Sequence, residues 1–230
     1  MNAPAGFWRR YAAYSLDASA LVLLVLPLAW SMAQMAAPAV ALHHDQLQLR
    51  LWQLFDAALS DGGDPFAQVL GWARDPALRE SLSALALDLL RPLLVTMAAL
   101  LGLAAAWFIA SESSRWQASP GKHLFGLRVT GADGERCQPA RIALRFLAGA
   151  PSWLFLHLGH VMAGWTRDKR ALHDMLSRTR VELAPGASVV FPPLARSWLL
   201  LQAAGFLGLV GFVVLRHVQL LWEIAAAGRY

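Results

Sequence analysis

The chain has 230 residues, 57% hydrophobic and only 15% charged, with a mean hydropathy of +0.43. That apolar excess goes beyond what the core of a soluble domain this size needs, so an ordinary soluble fold is excluded and lipid contact is indicated. The net charge of +5 flanks apolar runs instead of forming a basic stripe with aromatic platforms, which argues against nucleic acid as a partner, and a single cysteine, Cys137, excludes an internal disulfide and a Cys-based zinc cluster.

The first apolar segment covers residues 11–37 and follows the pair Arg9–Arg10. It continues past Trp30 and carries Asp17 near its head, which favours an uncleaved first helix over a secretory signal. An ionised carboxylate in lipid costs several kcal/mol unless it has polar company. Arg10 and Tyr14 lie seven and three residues before it, so the three share one helix face. That face must turn towards protein or trapped water. Candidate partners for Asp17 are Arg10, Lys122, Arg145 and the basic stretch around Arg170.

Residues 43–80 read as an extracytoplasmic insertion. Leu47, Leu51, Leu54 and Ala58 recur at helical spacing, predicting a short amphipathic helix on the membrane surface. His43, His44 and Asp45 lack a spaced fourth ligand and read as a solvated turn. Asp64–Pro65 and Asp75–Pro76 each read as an N-cap followed by proline at the first helical position. The second should open a helix that runs into the second apolar segment, residues 92–110. On it, Asp88 and Arg91 are spaced for a local ion pair, with a gate at an external opening as the alternative.

Beyond this span, HLFGLRVTGADGE alternates at Phe125, Leu127 and Val129 before a turn at residues 132–134. SRTRVEL alternates at Thr179, Val181 and Leu183. Pairing of these runs would put the ends of the third apolar segment, residues 146–166, on one side of the membrane. Pro151 splits that segment, which favours a re-entrant or interfacial path. The helix opened by Pro139 carries Arg141 and Arg145, read as snorkelling at the headgroups. His157 and His160 share a face and are candidates for a proton relay, with bonds to a neighbouring helix as the plainer reading. His173–Asp174 has no serine elbow or cysteine beside it, and SPGKH lacks the frame of a phosphate loop, so neither an enzyme nor a cofactor is expected. A fourth apolar segment covers residues 198–215.

Lysine and arginine concentrate before the first span, in residues 115–145 and after residue 166, which places the N-terminus and these loops in the cytoplasm and residues 43–80 outside. The expected fold is an all-α polytopic membrane protein with three to four transmembrane or re-entrant helices and a short cytoplasmic β-hairpin-like element.

An arginine leading into the first helix, an aspartate inside it, the stretch SPGKHLFGLRVTGADGE and a later LHD before a T-x-V strand together resemble the RDD family of bacterial membrane proteins. The resemblance covers residues 7–183 and leaves 184–230 as an additional C-terminal transmembrane segment. It implies that the arginine and two aspartates of the family name are Arg10, with Arg9 beside it, Asp17 and Asp174. It also implies a multi-pass protein of the bacterial cytoplasmic membrane for which transport has been suggested. Two roles are therefore in view. One is cation- or proton-coupled transport through Asp17, with Arg10 and Asp174 controlling access and Lys122, Asp88, Arg91, His157 and His160 as secondary candidates; the few spans would then call for a homo-oligomer. The other is a non-enzymatic adaptor or assembly protein in which the arginine–aspartate set is a structural lock.

Overall fold

The structure, a computed structural model, describes residues 3–154 and 158–227, and within these the backbone alone at 61, 65, 153, 154, 158–160, 225 and 227. In chain order the elements are α1 (Phe7–Asp61), α2 (Pro65–Trp72), α3 (Pro76–Ser113), α4 (Pro120–Leu124), β1 (Leu127–Gly131), α5 (Pro139–Leu147), α6 (Ala150–Leu154), α7 (Leu158–Trp165), α8 (Leu172–Leu176), β2 (Thr179–Leu183) and α9 (Pro193–Ala227). Among the described residues, three helices are long and apolar enough to cross a membrane: α1, α3 and α9. They present leucine, valine and phenylalanine side chains outward, as Leu23, Leu94 and Phe212 illustrate, a surface suited to acyl chains. The chain is a multi-pass membrane protein.

The third apolar segment does not form a fourth long helix among the described residues. Its described residues lie mostly in α6 and α7, and from Ala150 to Trp165 these cover less than the roughly 20 residues a crossing needs. The expected strand pairing is present: β1 and β2 run antiparallel, with Val129 opposite Val181 and Leu127 opposite Leu183. They do not form a hairpin, because the turn after β1 leads into α5 and the partner strand arrives only after α8. Pairing the strands brings both ends of the third apolar segment back to one place.

Two compact units divide the chain. The first comprises residues 1–19 and 105–230. Its core joins Phe125, Leu127 and Val129 to Val181, Leu183, Ile142 and the small residues Ala5, Ala12 and Ala13. The chain start attaches to the sheet edge: Ala5 donates its N–H to the Val181 carbonyl at 3.1 Å, and Leu183 donates to Ala3 at 3.0 Å. Small side chains at 12 and 13 let α1 approach closely, and this docking delivers Arg9, Arg10 and Asp17 to the sheet and its flanking helices.

The second unit comprises residues 20–104. Here α1 runs unbroken to Asp61, where a loop and a separate surface helix were expected. At 55 residues it is about 80 Å long, far more than a bilayer requires. No glycine or proline interrupts residues 41–61, and good helix formers fill them. Two polar clamps to α3 support the extension. His43 Nδ1 lies 2.6 Å from Asp88 Oδ2, and Arg50 grips Asp75 through Nε and Nη2 at 3.0 and 2.5 Å. The helix stops where Gly62 adopts φ +60°, a left-handed conformation that costs glycine little. Both predicted N-caps are present: Asp64 accepts from Phe66 N–H at 3.1 Å and Asp75 from Leu78 N–H at 2.8 Å.

Candidate functional site

Asp17 is 1% exposed, and donors reach both of its oxygens. Oδ1 accepts from the Gly121 N–H at 2.8 Å and from Trp107 Nε1 at 3.2 Å; Oδ2 accepts from the Ser119 hydroxyl at 2.5 Å. None of the expected cations forms an ion pair with it. The carboxylate sits at the first turn of α4, where backbone N–H groups are without helical partners and favour negative charge. Ser119 occupies the N-cap position but does not cap; its hydroxyl donates to Asp17 instead. Pro120 starts the helix with its fixed φ. Gly121 is required by space: a Cβ there would run into the Ala13 carbonyl oxygen and stand 2.9 Å from Asp17 Oδ2. Each residue of SPGK therefore has a task, and the first three serve the docking of Asp17.

The fourth begins a chain of alternating charge. Lys122 donates to Glu112 Oε1, and its ammonium lies 5.2 Å from the Phe108 ring centroid. Arg145 Nε donates to Glu112 Oε2 at 3.2 Å. Its Nη1 donates to Asp174 Oδ1 and, at 2.9 Å, to Thr179. Arg10 Nη2 reaches Asp174 Oδ2 at 2.5 Å, and its Nη1 donates to the Lys169 carbonyl at 2.6 Å. Burial alone would push the Asp174 carboxyl up. Arg145 and Arg10 outweigh that and hold it far below the ordinary carboxylate range. Burial alone would lower the Arg145 guanidinium, but Asp174 and Glu112 raise it above its usual value. Arg145 is thus buried and doubly ion-paired, which corrects the headgroup reading: strong local charge pulls it inward.

The arginine and two aspartates do not converge on one point. Arg10 pairs with Asp174, tying the start of α1 to α8, while Asp17 binds the α4 turn. Arg9 plays a different part, donating to the carbonyls of Phe125 and Ser188 at 2.7 Å each. Tyr14, on the same helix face as Arg10 and Asp17, stacks on Phe108 with centroids 6.2 Å apart. His173 Nε2 lies 3.4 Å from Asp174 Oδ1, so these chain neighbours do meet. In the second unit Asp88 bonds His43, and its expected pair with Arg91 is not formed; Arg91 is exposed. His157 lies outside the described residues, as does the side chain of His160, whose backbone belongs to α7.

Sequence reasoning missed Glu112 as a site residue and gave Arg145 the wrong surroundings. A signal for the acid existed. Glu112 stands in the last turn of α3, where the helix dipole disfavours a carboxylate, so its presence there calls for cations to compensate.

Three apolar helices and a buried polar network tied to the start of the first define a polytopic membrane protein with an attached polar module. Residues 4–178 match the family model described as the RDD family. The chain belongs to the RDD family. It is similar to the "Uncharacterized protein YxaI" of Bacillus subtilis (strain 168), at 28% identity over 88 residues, which are 38% of this chain and 58% of that protein. The match thus spans less than two thirds of that relative's length. No solved structure matches.

Proposed function

We propose that this protein is a non-catalytic adaptor or assembly protein of the bacterial cytoplasmic membrane, in which Arg10, Asp17 and Asp174 lock a cytoplasmic module onto the base of the first membrane helix. The observation that carries this reading is the state of Asp17. Three donors occupy its oxygens, and its side chain is closed to solvent. A cation using that carboxylate in transport would have to displace the Ser119 and Gly121 bonds, and with them the first turn of α4. Buried polar groups whose bonds are complete stiffen a fold. A transport site, by contrast, must fill and empty. The distribution of lysine and arginine supports an N-terminus and module in the cytoplasm and residues 43–80 outside.

The test is thermal unfolding in detergent of the wild type and Asp17→Asn, across Na⁺, K⁺ and Li⁺ at several pH values. A ligand of the folded state alone must raise the midpoint as its concentration rises. The lock predicts that none of the three cations acts through Asp17. A cation that stabilises the wild type and leaves a folded Asp17→Asn unmoved would overturn it in favour of transport.

A further inference from the structure

Alongside the charged chain lies a cavity of about 100 Å³. Arg10, Lys122 and Arg145 line it together with Glu112, and Tyr11, Tyr14, Phe108 and Phe146 form much of its apolar wall. The three cations hold more donor hydrogens than the described residues accept. Arg145 commits Nε and Nη1 to Glu112, Asp174 and Thr179, and Nη2 meets no acceptor among the described residues. Arg10 commits Nη1 and Nη2, and Nε likewise meets none. The Lys122 ammonium has three hydrogens and, among the described residues, a single oxygen partner, Glu112. Arg145 is 6% exposed and Lys122 8%, so little of either side chain meets bulk water. Among the described residues, Arg10, Lys122 and Arg145 face two carboxylates, Glu112 and Asp174, with His173 beside Asp174, which leaves at least one positive charge in excess. Asp17 is engaged elsewhere.

We propose that this cavity binds a phosphate group, and that an anionic phospholipid supplies it. A phosphate offers several charged acceptor oxygens at once, as planar guanidinium groups and an ammonium converging on one space require. The volume fits a group of that size and not a whole soluble nucleotide. The aromatic wall points to the lipid as the source. Tyr11 and Tyr14 belong to the first turns of α1, where aromatic side chains sit at the level of the headgroups. Basic pockets beside membrane helices on the cytoplasmic side receive such headgroups. Asp174, outside the lining, and Glu112, within it, hold the three cations in place, so the site is formed before the ligand arrives. This inference is independent of the adaptor reading.

The experiment measures binding to the full chain in an uncharged detergent, by native mass spectrometry and thermal midpoint. The additions are phosphatidylglycerol, phosphatidylcholine or inorganic phosphate. Two variants accompany the wild type. Lys122→Gln keeps a donor for Glu112 and removes the charge. Ala163→Leu fills the cavity from a lining position and leaves every charge in place. The expected result is saturable binding of phosphatidylglycerol with a raised midpoint, no such effect of phosphatidylcholine, at least tenfold weaker binding by Lys122→Gln, and none by a folded Ala163→Leu. Stabilisation by inorganic phosphate alone, with lipid adding nothing, would support the phosphate site and overturn the lipid as its source. Equal binding of phosphatidylglycerol by wild type and Ala163→Leu, or no response to any anion, would overturn the proposal.

Discussion

Replacing Asp17 by alanine or by asparagine should have very different consequences. Alanine removes both oxygens and leaves the Gly121 N–H and Ser119 hydroxyl buried without an acceptor, and strips the half-buried Trp107 indole of its partner. A buried polar group left unpaired costs about 1–3 kcal/mol. With two such groups and a partial third, the loss is about 3–5 kcal/mol after local relaxation. Asparagine has nearly the same shape. Its carbonyl can keep the Gly121 and Trp107 bonds, and its amide can donate to the Ser119 oxygen once that hydroxyl turns. What remains is the loss of a charge-assisted acceptor at the first turn of α4, about 1 kcal/mol. Thermal midpoints in detergent, followed by tryptophan fluorescence, should therefore rank wild type slightly above Asp17→Asn and both well above Asp17→Ala. Equal damage from the two substitutions would refute the reasoning, because it would show that the charge matters and the hydrogen bonds do not.

Gly121→Ala should destabilise by about 1–3 kcal/mol, the usual range for overpacking, because the new methyl meets the Ala13 backbone and not a flexible side chain. Gly102→Ala, with nothing within 4 Å of its added Cβ, is the control and should be neutral or mildly stabilising in the same unfolding assay. Hydrogen bonds from Arg50 and from the backbone at Leu78 lower the Asp75 carboxyl from 3.8 to about 2. A depressed folded-state value means that the clamp is at full strength above about pH 4 and fades as pH falls towards 2. Asp75→Asn should thus expose the amides of residues 43–61 to hydrogen exchange at neutral pH, and the difference from wild type should shrink below pH 4; a difference that persists at pH 2 would refute the clamp. Cys137 is buried at 3% exposure, and burial raises its thiol above the ordinary value, so it serves poorly for topology. In a Cys137→Ser background, the exposed positions 140 and 60 are better, with Ala140→Cys labelled from the cytoplasmic side alone and Ser60→Cys from outside alone.

The elements that carry a local signal were legible in the sequence. All three long helices announced themselves through apolar runs, and Asp64–Pro65 and Asp75–Pro76 marked helix starts that the structure contains. Alternation found both strands, although nothing local shows that they pair across the 47 residues between them. In residues 43–61, Leu47, Leu51, Leu54 and Ala58 read correctly as helical, but as a separate surface helix, because His43, His44 and Asp45 suggest a solvated turn before it. No local pattern reveals that Asp88 and Asp75, on a different helix, hold that stretch in helical form. The site failed for the same reason at longer range. The sequence placed an acid in the first helix but offered cations as its partners, whereas the actual donors are a hydroxyl, an indole and a backbone N–H more than ninety residues away or close to it. Backbone donors leave no mark on a sequence unless proline and glycine shape the turn that presents them.

That turn also explains why an acid survives at the head of a membrane helix. Its environment is not set by how deep residue 17 lies along α1, but by what folds around the first nineteen residues. The chain start pairs with β2, Ala12 and Ala13 allow close approach, Arg9 fixes the end of α4 through the Phe125 carbonyl, and Asp17 closes the contact on the opposite end of that short helix. Arg10 then ties the same turn of α1 to α8 through Asp174. Removing any one of these leaves polar groups of the others buried without partners, so the cost is shared and the contacts form together or not at all. The two aspartates accordingly do distinct work. Asp17 binds neutral donors and orders a loop; Asp174 binds cations and orders a network. A single ion-binding centre would need them side by side, whereas a module held to its membrane helix needs them at two points of attachment, which is the arrangement the fold provides.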